Sequence, residues 1–169
     1  MNLTTLPYSF RDIQIIVSPE NQPPFQIEAQ VVEQDTARVL DAGHQMIYPS
    51  ESTEQLITQA VETPALTPGS VLVTGDSPLQ FLAIVHDFDQ EPSCREKWII
   101  EALRGIWRES EQRQLQSIAM PLLGTWHGHL KVERFFELLH LVIEPVPTVY
   151  LKRLWLVVPS EARSMNKII

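Results

Sequence analysis

The sequence predicts an α/β domain built on a mixed, mostly parallel sheet flanked by helices. Three observations carry that expectation. Short β-rich runs alternate with amphipathic helical stretches over the last two-thirds of the chain. The runs at 81–86 and 117–122 are almost continuously apolar, as strands buried on both faces are. A helix of about 13 residues and a strand of about six both span roughly 20 Å, so each helix returns the chain across the sheet in a single crossover.

The elements follow in order. Residues 10–17 and 25–32 read as strands. In the second, Phe25, Ile27, Ala29 and Val31 alternate with Gln26, Glu28 and Gln30, which leaves one face half exposed. Pro19, Asn21, Pro23 and Pro24 place a turn between them. Residues 36–50 read as an irregular or strand-like connection. Ser52 and Gln55 form a capping-box pattern at the start of a helix over 52–63, with Leu56, Ile57, Ala60 and Val61 on one face and Pro64 as its stop. Pro68-Gly69 turns the chain into a short strand at 70–74.

A second capping box, Ser93 with Glu96, opens a helix over 93–112. Its apolar face carries Trp98, Ile99, Ala102, Leu103, Ile106 and Trp107. The helix over 131–143 has the stripe Val132, Phe135, Phe136, Leu139, Val142 and Ile143. A strand at 149–158 closes the domain, and the tail from Ser160 reads as frayed.

Composition bounds the function. A chain of 169 residues, 44% hydrophobic and 20% charged, is expected to form one domain over 1–169. No apolar run approaches the roughly 18–20 residues that cross a bilayer, so no membrane partner is expected. The start, Met1 to Pro7, lacks the basic and apolar regions of a secretory signal. Cys94 is the single cysteine, which excludes an internal disulfide and a cysteine-rich zinc site and fits a cytoplasmic protein. The formal net charge of −8, with no basic face, argues against nucleic acid as a partner. An acidic chain still binds a phosphorylated small molecule if local donors dominate, because salt screens charges beyond roughly 8 Å. No cofactor motif and no metal-ligand spacing is present. Oligomeric state is not written in the sequence.

In sheets of this kind, ligands gather at the carboxyl ends of the strands. Two such ends stand out. Residues 120–123 run into Gly124-Thr125-Trp126-His127-Gly128-His129, and the run at 81–86 ends in His86-Asp87-Phe88-Asp89. The first has the features of an anion site. Gly124 and Gly128 let backbone N–H groups turn toward one point, Thr125 offers a hydroxyl, and the following helix contributes about half a positive charge at its N-terminus. His127, His129 and Lys131 stand where a cation opposes that helix dipole, a placement that makes sense beside an anion. Trp126 lies off the core periodicity and is expected either to stack on a base or sugar or to cap an apolar face. His86, Asp87 and Asp89 fit no known ligand spacing. Cys94 is expected in the first turn of its helix beside Arg95, with no histidine near it in sequence. Trp98, Trp107 and Trp155 are expected in the core, and His140 has no special role.

The run Ser117-Ile118-Ala119-Met120-Pro121-Leu122-Leu123-Gly124-Thr125 resembles the strand and phosphate loop of macro domains, the ADP-ribose-binding module. In that family the strand ends in Pro-x-x-Gly-Thr-Gly, with a further glycine before a helix. Gly124, Thr125 and Gly128 match; Trp126 stands where the family has glycine, and the loop is one residue short. Residues 69–74 and Ala83-Ile84-Val85-His86 resemble two further strands of the family, and residues 154–158 its closing strand. The resemblance covers residues 68–158 and implies a three-layer macro-like fold with a ligand site at Gly124, Thr125, Trp126, His127 and Gly128. The N-terminal third departs from the family. Its Asn-Ala-Ala-Asn segment is matched at best by residues 38–44, with Asp41 and His44 in place of the asparagines, and the glycine-rich stretch is missing. An acidic Asp41 would repel a diphosphate.

Three functions follow. The first is a divergent macro-like module that binds a phosphorylated, ADP-ribose-like or nucleotide ligand at 124–128. The second is a macro-like scaffold that has lost the pocket, partly filled by Trp126, and serves protein–protein interaction. The third is a hydrolase of a phosphorylated small molecule using His86, Asp87, Asp89 or His127, with no legible nucleophile–base pair.

Overall fold

The computed structural model describes residues 7–40 and 66–160. The strands are β1 (Tyr8–Phe10), β2 (Ile13–Pro19), β3 (Ala29–Asp35), β4 (Val71–Thr74), β5 (Leu79–His86), β6 (Ser117–Pro121) and β7 (Arg153–Val158). The helices that lie wholly within the described residues are α1 (Glu96–Gln112) and α2 (Val132–Ile143). The strands form one seven-stranded sheet in the order β1-β2-β7-β6-β3-β5-β4. The five inner strands run parallel, and the edges β1 and β4 pair antiparallel. This is the expected mixed sheet, with β6 at its centre. No described helix is long and apolar enough to cross a membrane.

The inward residues of alternate strand positions make the core. Ile13, Ile15 and Val17 of β2, Val31 of β3, and Phe81, Ala83 and Val85 of β5 join one apolar cluster with Leu103 and Ile106 of α1 and Phe135 and Leu139 of α2. The period of two in the strands and 3.6 in the helices thus brings both described helices to one face. Trp98, Trp107 and Trp155 are buried, as the periodicity predicts. The expected helix over 52–63 lies outside the described residues.

Several boundaries shift for local reasons. The run at 10–17 breaks at Arg11, which takes a positive φ of 54°, so Phe10 belongs to β1 and pairs with Ile13 across a hairpin. The run at 25–32 joins the sheet only at Ala29; Phe25 instead lies under the Arg153 guanidinium, 4.9 Å from its ring centre. The stretch before β7 is held by a side chain rather than a ladder: the Glu111 carboxylate accepts the amides of Val149, Tyr150 and Leu151. The capping box expected from Ser93 and Glu96 does not form. Arg95 is the N-cap residue, with no side-chain cap, because Cys94 is drawn into an antiparallel bridge with His86.

Phe135 is fully buried while its neighbour Phe136 is only half-buried, the two rings meeting edge to face at 5.9 Å. Phe135→Ala is expected to cost about 3–5 kcal/mol in chemical denaturation, and Phe136→Ala clearly less. Equal losses in the two variants would show that the helix presents a different face.

Candidate functional site

The parallel strands end together at one rim of the sheet, and the side chains there are polar. β3 finishes in Glu33-Gln34-Asp35, and the β3–β5 register slips between Gln34 and Asp35, so that Asp35 pairs with His86. A slip of this kind re-aims side chains at a sheet's end. Asp35 is fully buried and accepts the amides of Ala37, Val39 and Leu40 at 2.7, 3.1 and 2.8 Å, fixing where the chain leaves the strand. Glu33 joins three elements. One carboxylate oxygen accepts the amide of Gly124 at 3.1 Å, and the other accepts Nε2–H of His86.

His86 is fully buried. Burial alone favours the neutral ring, but Cys94 and the Glu33 carboxylate outweigh it and raise the pKa to about 9. The ring is therefore an imidazolium at neutral pH. Its Nδ1 has no hydrogen-bond partner among the described residues, so Cys94 acts on the ring without closing a well-aligned bond to it. Phe88 stacks on the ring at 5.9 Å, and His127 meets it edge-on at 6.2 Å.

The loop after β6 is tightly drawn. Gly124 takes a φ of +82°, which suits glycine. Its amide is engaged by Glu33, and the amide and hydroxyl of Thr125 both donate to the carbonyl of Leu122. The amide of Leu130 closes the loop on the Gly124 carbonyl at 3.2 Å. Residues 129 and 130 link Gly128 to α2, whose N-cap residue is Lys131, within a residue of the expected helix start. Gly128 is required by close approach: a Cβ there would lie 2.6 Å from the Gly124 carbonyl oxygen and 3.3 Å from the Cys94 sulfur. Valine at 128 would accordingly disturb the loop itself.

A cleft of about 580 Å³ opens at this rim. Its walls include Glu33 of β3, Met120 and Pro121 of β6, Val157 and Val158 of β7, and the loop residues Thr125, Trp126 and His127. Trp126 is half-buried and forms part of the wall, and His127 is exposed. No lysine or arginine is among the described lining residues, whereas Glu20 and Glu33 are.

Of the expected site residues, Thr125, Trp126 and His127 line the cleft, whereas Gly124 and Gly128 are not in its wall and lie against Cys94. Asp41 and His44 lie outside the described residues. Asp87 and Asp89 do not converge with the histidines: Asp87 accepts the amide of Asp89 and the side chain of Gln90 within its own turn. Among the described residues no three His, Cys, Asp or Glu side chains could hold a metal ion. His140 has a structural task on α2. It stacks on Phe10 at 4.5 Å and bonds the Tyr8 hydroxyl at 3.2 Å, pinning β1. Burial lowers its pKa and raises that of Tyr8 to about 12. Sequence reasoning missed Glu33 and Asp35. The signal was three consecutive polar residues closing the strand at its carboxyl end.

No protein-family model matches the chain, and no curated protein matches it by sequence. Solved structures do. A macrodomain of Thermus aquaticus DarG is similar with a TM-score of 0.62 at 17% identity, over 86% of this chain and 98% of that one. The Oceanobacillus iheyensis macrodomain with ADP is similar with a TM-score of 0.67 at 13% identity, over 98% of each chain. A variant of the same macrodomain with ADP-ribose gives 0.67 at 12% identity, again over 98% of each chain.

The His86 pair sets a pH window. Its folded pKa of about 9 lies above the ordinary 6.5, so its stabilisation is complete below pH 6.5 and is lost as pH rises through about 9. The loss is on the order of 3 kcal/mol. His140 has the opposite sign: its depressed pKa gives stability that is present above the ordinary histidine pKa and lost as pH falls. Denaturation midpoints across this range should fall on the alkaline side in the wild type and stay flatter in His86→Gln. Parallel curves for the two proteins would refute the pairing.

Proposed function

From the macrodomain fold of this chain we propose that it binds a phosphorylated, nucleotide-like ligand of the ADP-ribose class in the cleft at the carboxyl ends of β3, β6 and β7. The observation that carries this reading is the cleft itself: about 580 Å³, within the usual range of small-molecule sites, with Thr125, Trp126 and His127 on its wall. The fold neighbours that hold ADP and ADP-ribose support the ligand class. In this reading a phosphate rests against the backbone of residues 126–128 beside His127, and Trp126 offers a flat surface to a base or sugar. Glu33 does not defeat an anion there, because His86 cancels its charge locally.

A second reading has a specific observation in its favour. The cleft wall carries two glutamates and no described lysine or arginine, and the Gly124 and Thr125 amides are engaged within the fold. A scaffold that has kept the fold and serves protein–protein interaction fits those facts. A hydrolase of a phosphorylated small molecule has less support, since the Asp87 carboxylate is engaged by the Asp89 amide and the Gln90 side chain rather than by a histidine.

Thermal denaturation with ADP-ribose, ADP and inorganic phosphate separates the readings. A ligand at about 100 times its Kd adds about 2.7 kcal/mol to the native state. ADP-ribose is expected to raise the melting temperature more than phosphate does. His127→Ala, at an exposed position, should shrink that response while leaving the unliganded protein unchanged. No response to any of the three compounds would favour the scaffold.

A further inference from the structure

Cys94 is isolated in the sequence but not in the fold. It lies beside His86 through the antiparallel bridge, and that ring is fully buried with an unpartnered Nδ1. Glu33 holds the other side of the ring. The sulfur also packs against the loop: it is 3.6 Å from where a Cβ on Gly124 would stand and 3.3 Å from where one on Gly128 would. Cys94 is partly exposed and does not line the cleft, whereas Thr125, Trp126 and His127 of the same loop do.

We propose that Cys94 is a modification site for hydroperoxides, and that modifying its sulfur displaces the loop at 124–130 and thereby weakens the cleft. The reacting form of a cysteine is the thiolate, and positive charge beside the sulfur promotes it. Glu33 holds the His86 ring from its other side, so the ring stays beside the sulfur. The sulfur attacks one peroxide oxygen, an S–O bond forms and the O–O bond breaks. The leaving hydroxide, or alkoxide if the peroxide is organic, takes a proton from solvent to become water or an alcohol. The sulfur is oxidised by two electrons and the peroxide is reduced by two. The new oxygen needs space that Gly124 and Gly128 now close, because both glycines let the loop approach the sulfur. Cys94 is the single cysteine, so the sulfenic acid cannot be consumed by an internal disulfide.

The groups that face the pair are Glu33 from β3, His86 from β5 and His127 from the loop. The effect on the cleft rests on the ligand reading above; the reactivity and the loop movement do not. The test is made on the full chain at neutral pH. Intact mass should show one added oxygen at Cys94 with dilute hydrogen peroxide, formed severalfold faster than glutathione reacts. Glu33→Gln should slow the reaction, and Cys94→Ser should abolish it. Hydrogen exchange should then rise at residues 124–130 in the modified protein and stay unchanged in α1 beyond its first turn. Reaction no faster than glutathione, or exchange at 124–130 unchanged after modification, overturns the proposal. If a Glu33→Gln chain does not fold, those two measurements on the wild type decide alone. With ADP-ribose, the melting shift of the unmodified protein should diminish after oxidation. A shift unchanged by oxidation overturns the coupling to the cleft. An unmodified protein that never responds to ADP-ribose overturns the ligand reading, while mass and exchange still decide the thiol.

Discussion

A carboxylate taken out of water must find donors, and Glu33 finds two in distant parts of the chain. Its side chain is 7% exposed, paired with the ring of His86 at the end of β5 and with the amide of Gly124 after β6. Removing one partner of a buried charge pair leaves the other uncompensated, which is far costlier than the pair is stabilising. That constraint fixes the ends of three strands relative to each other. It also explains the tension in the loop, because the chain must turn at Gly124 with its amide aimed at β3. The positive φ of Gly124 is the backbone geometry that this aim requires.

Polar residues at the end of a sheet have two uses: they satisfy the backbone where strands stop, and they form a site. Asp35 belongs to the first use, with its carboxylate spent on three amides. Glu33 serves both, since it holds the loop and also stands in the cleft wall. Thr125 does likewise, donating its hydroxyl to Leu122 while lining the cleft. The loop that reads as a phosphate cradle is therefore first a piece of closed architecture. Its Gly124 and Thr125 amides are already engaged within the fold.

Much of the fold was legible because it rests on period. Alternation in 25–32 and the apolar stripes of 93–112 and 131–143 place the core without reference to distant residues. The short motifs around Pro121, Gly124, Thr125 and Gly128 likewise located the loop, and the macrodomain-like solved structures agree with the resemblance they carry. What escaped was set by pairing across the sheet. Nothing near Glu33 in sequence announces His86, which lies 53 residues away. Cys94 has no histidine near it in the chain, and its position suggests only the first turn of a helix, yet the fold bridges it to His86. The capping box at Ser93 failed for the same reason, since a bridge to His86 competes with a local cap. Period reports which face a residue occupies, whereas a site depends on which residues face each other.

The acidity of the chain also looks different once the pairs are placed. A formal charge of −8 is a sum over positions, whereas a ligand responds to charges within roughly 8 Å. At the cleft rim the nearest buried carboxylate is matched by an imidazolium, so that pair presents a dipole rather than a net charge. The same imidazolium stands beside the one thiol of the chain, on the side of the loop where Gly124 and Gly128 approach the sulfur. Charge compensation for the cleft and the positive charge beside Cys94 are thus consequences of one protonated ring. A change that neutralises His86 would expose the Glu33 charge to the cleft and remove the cation from the sulfur in the same step.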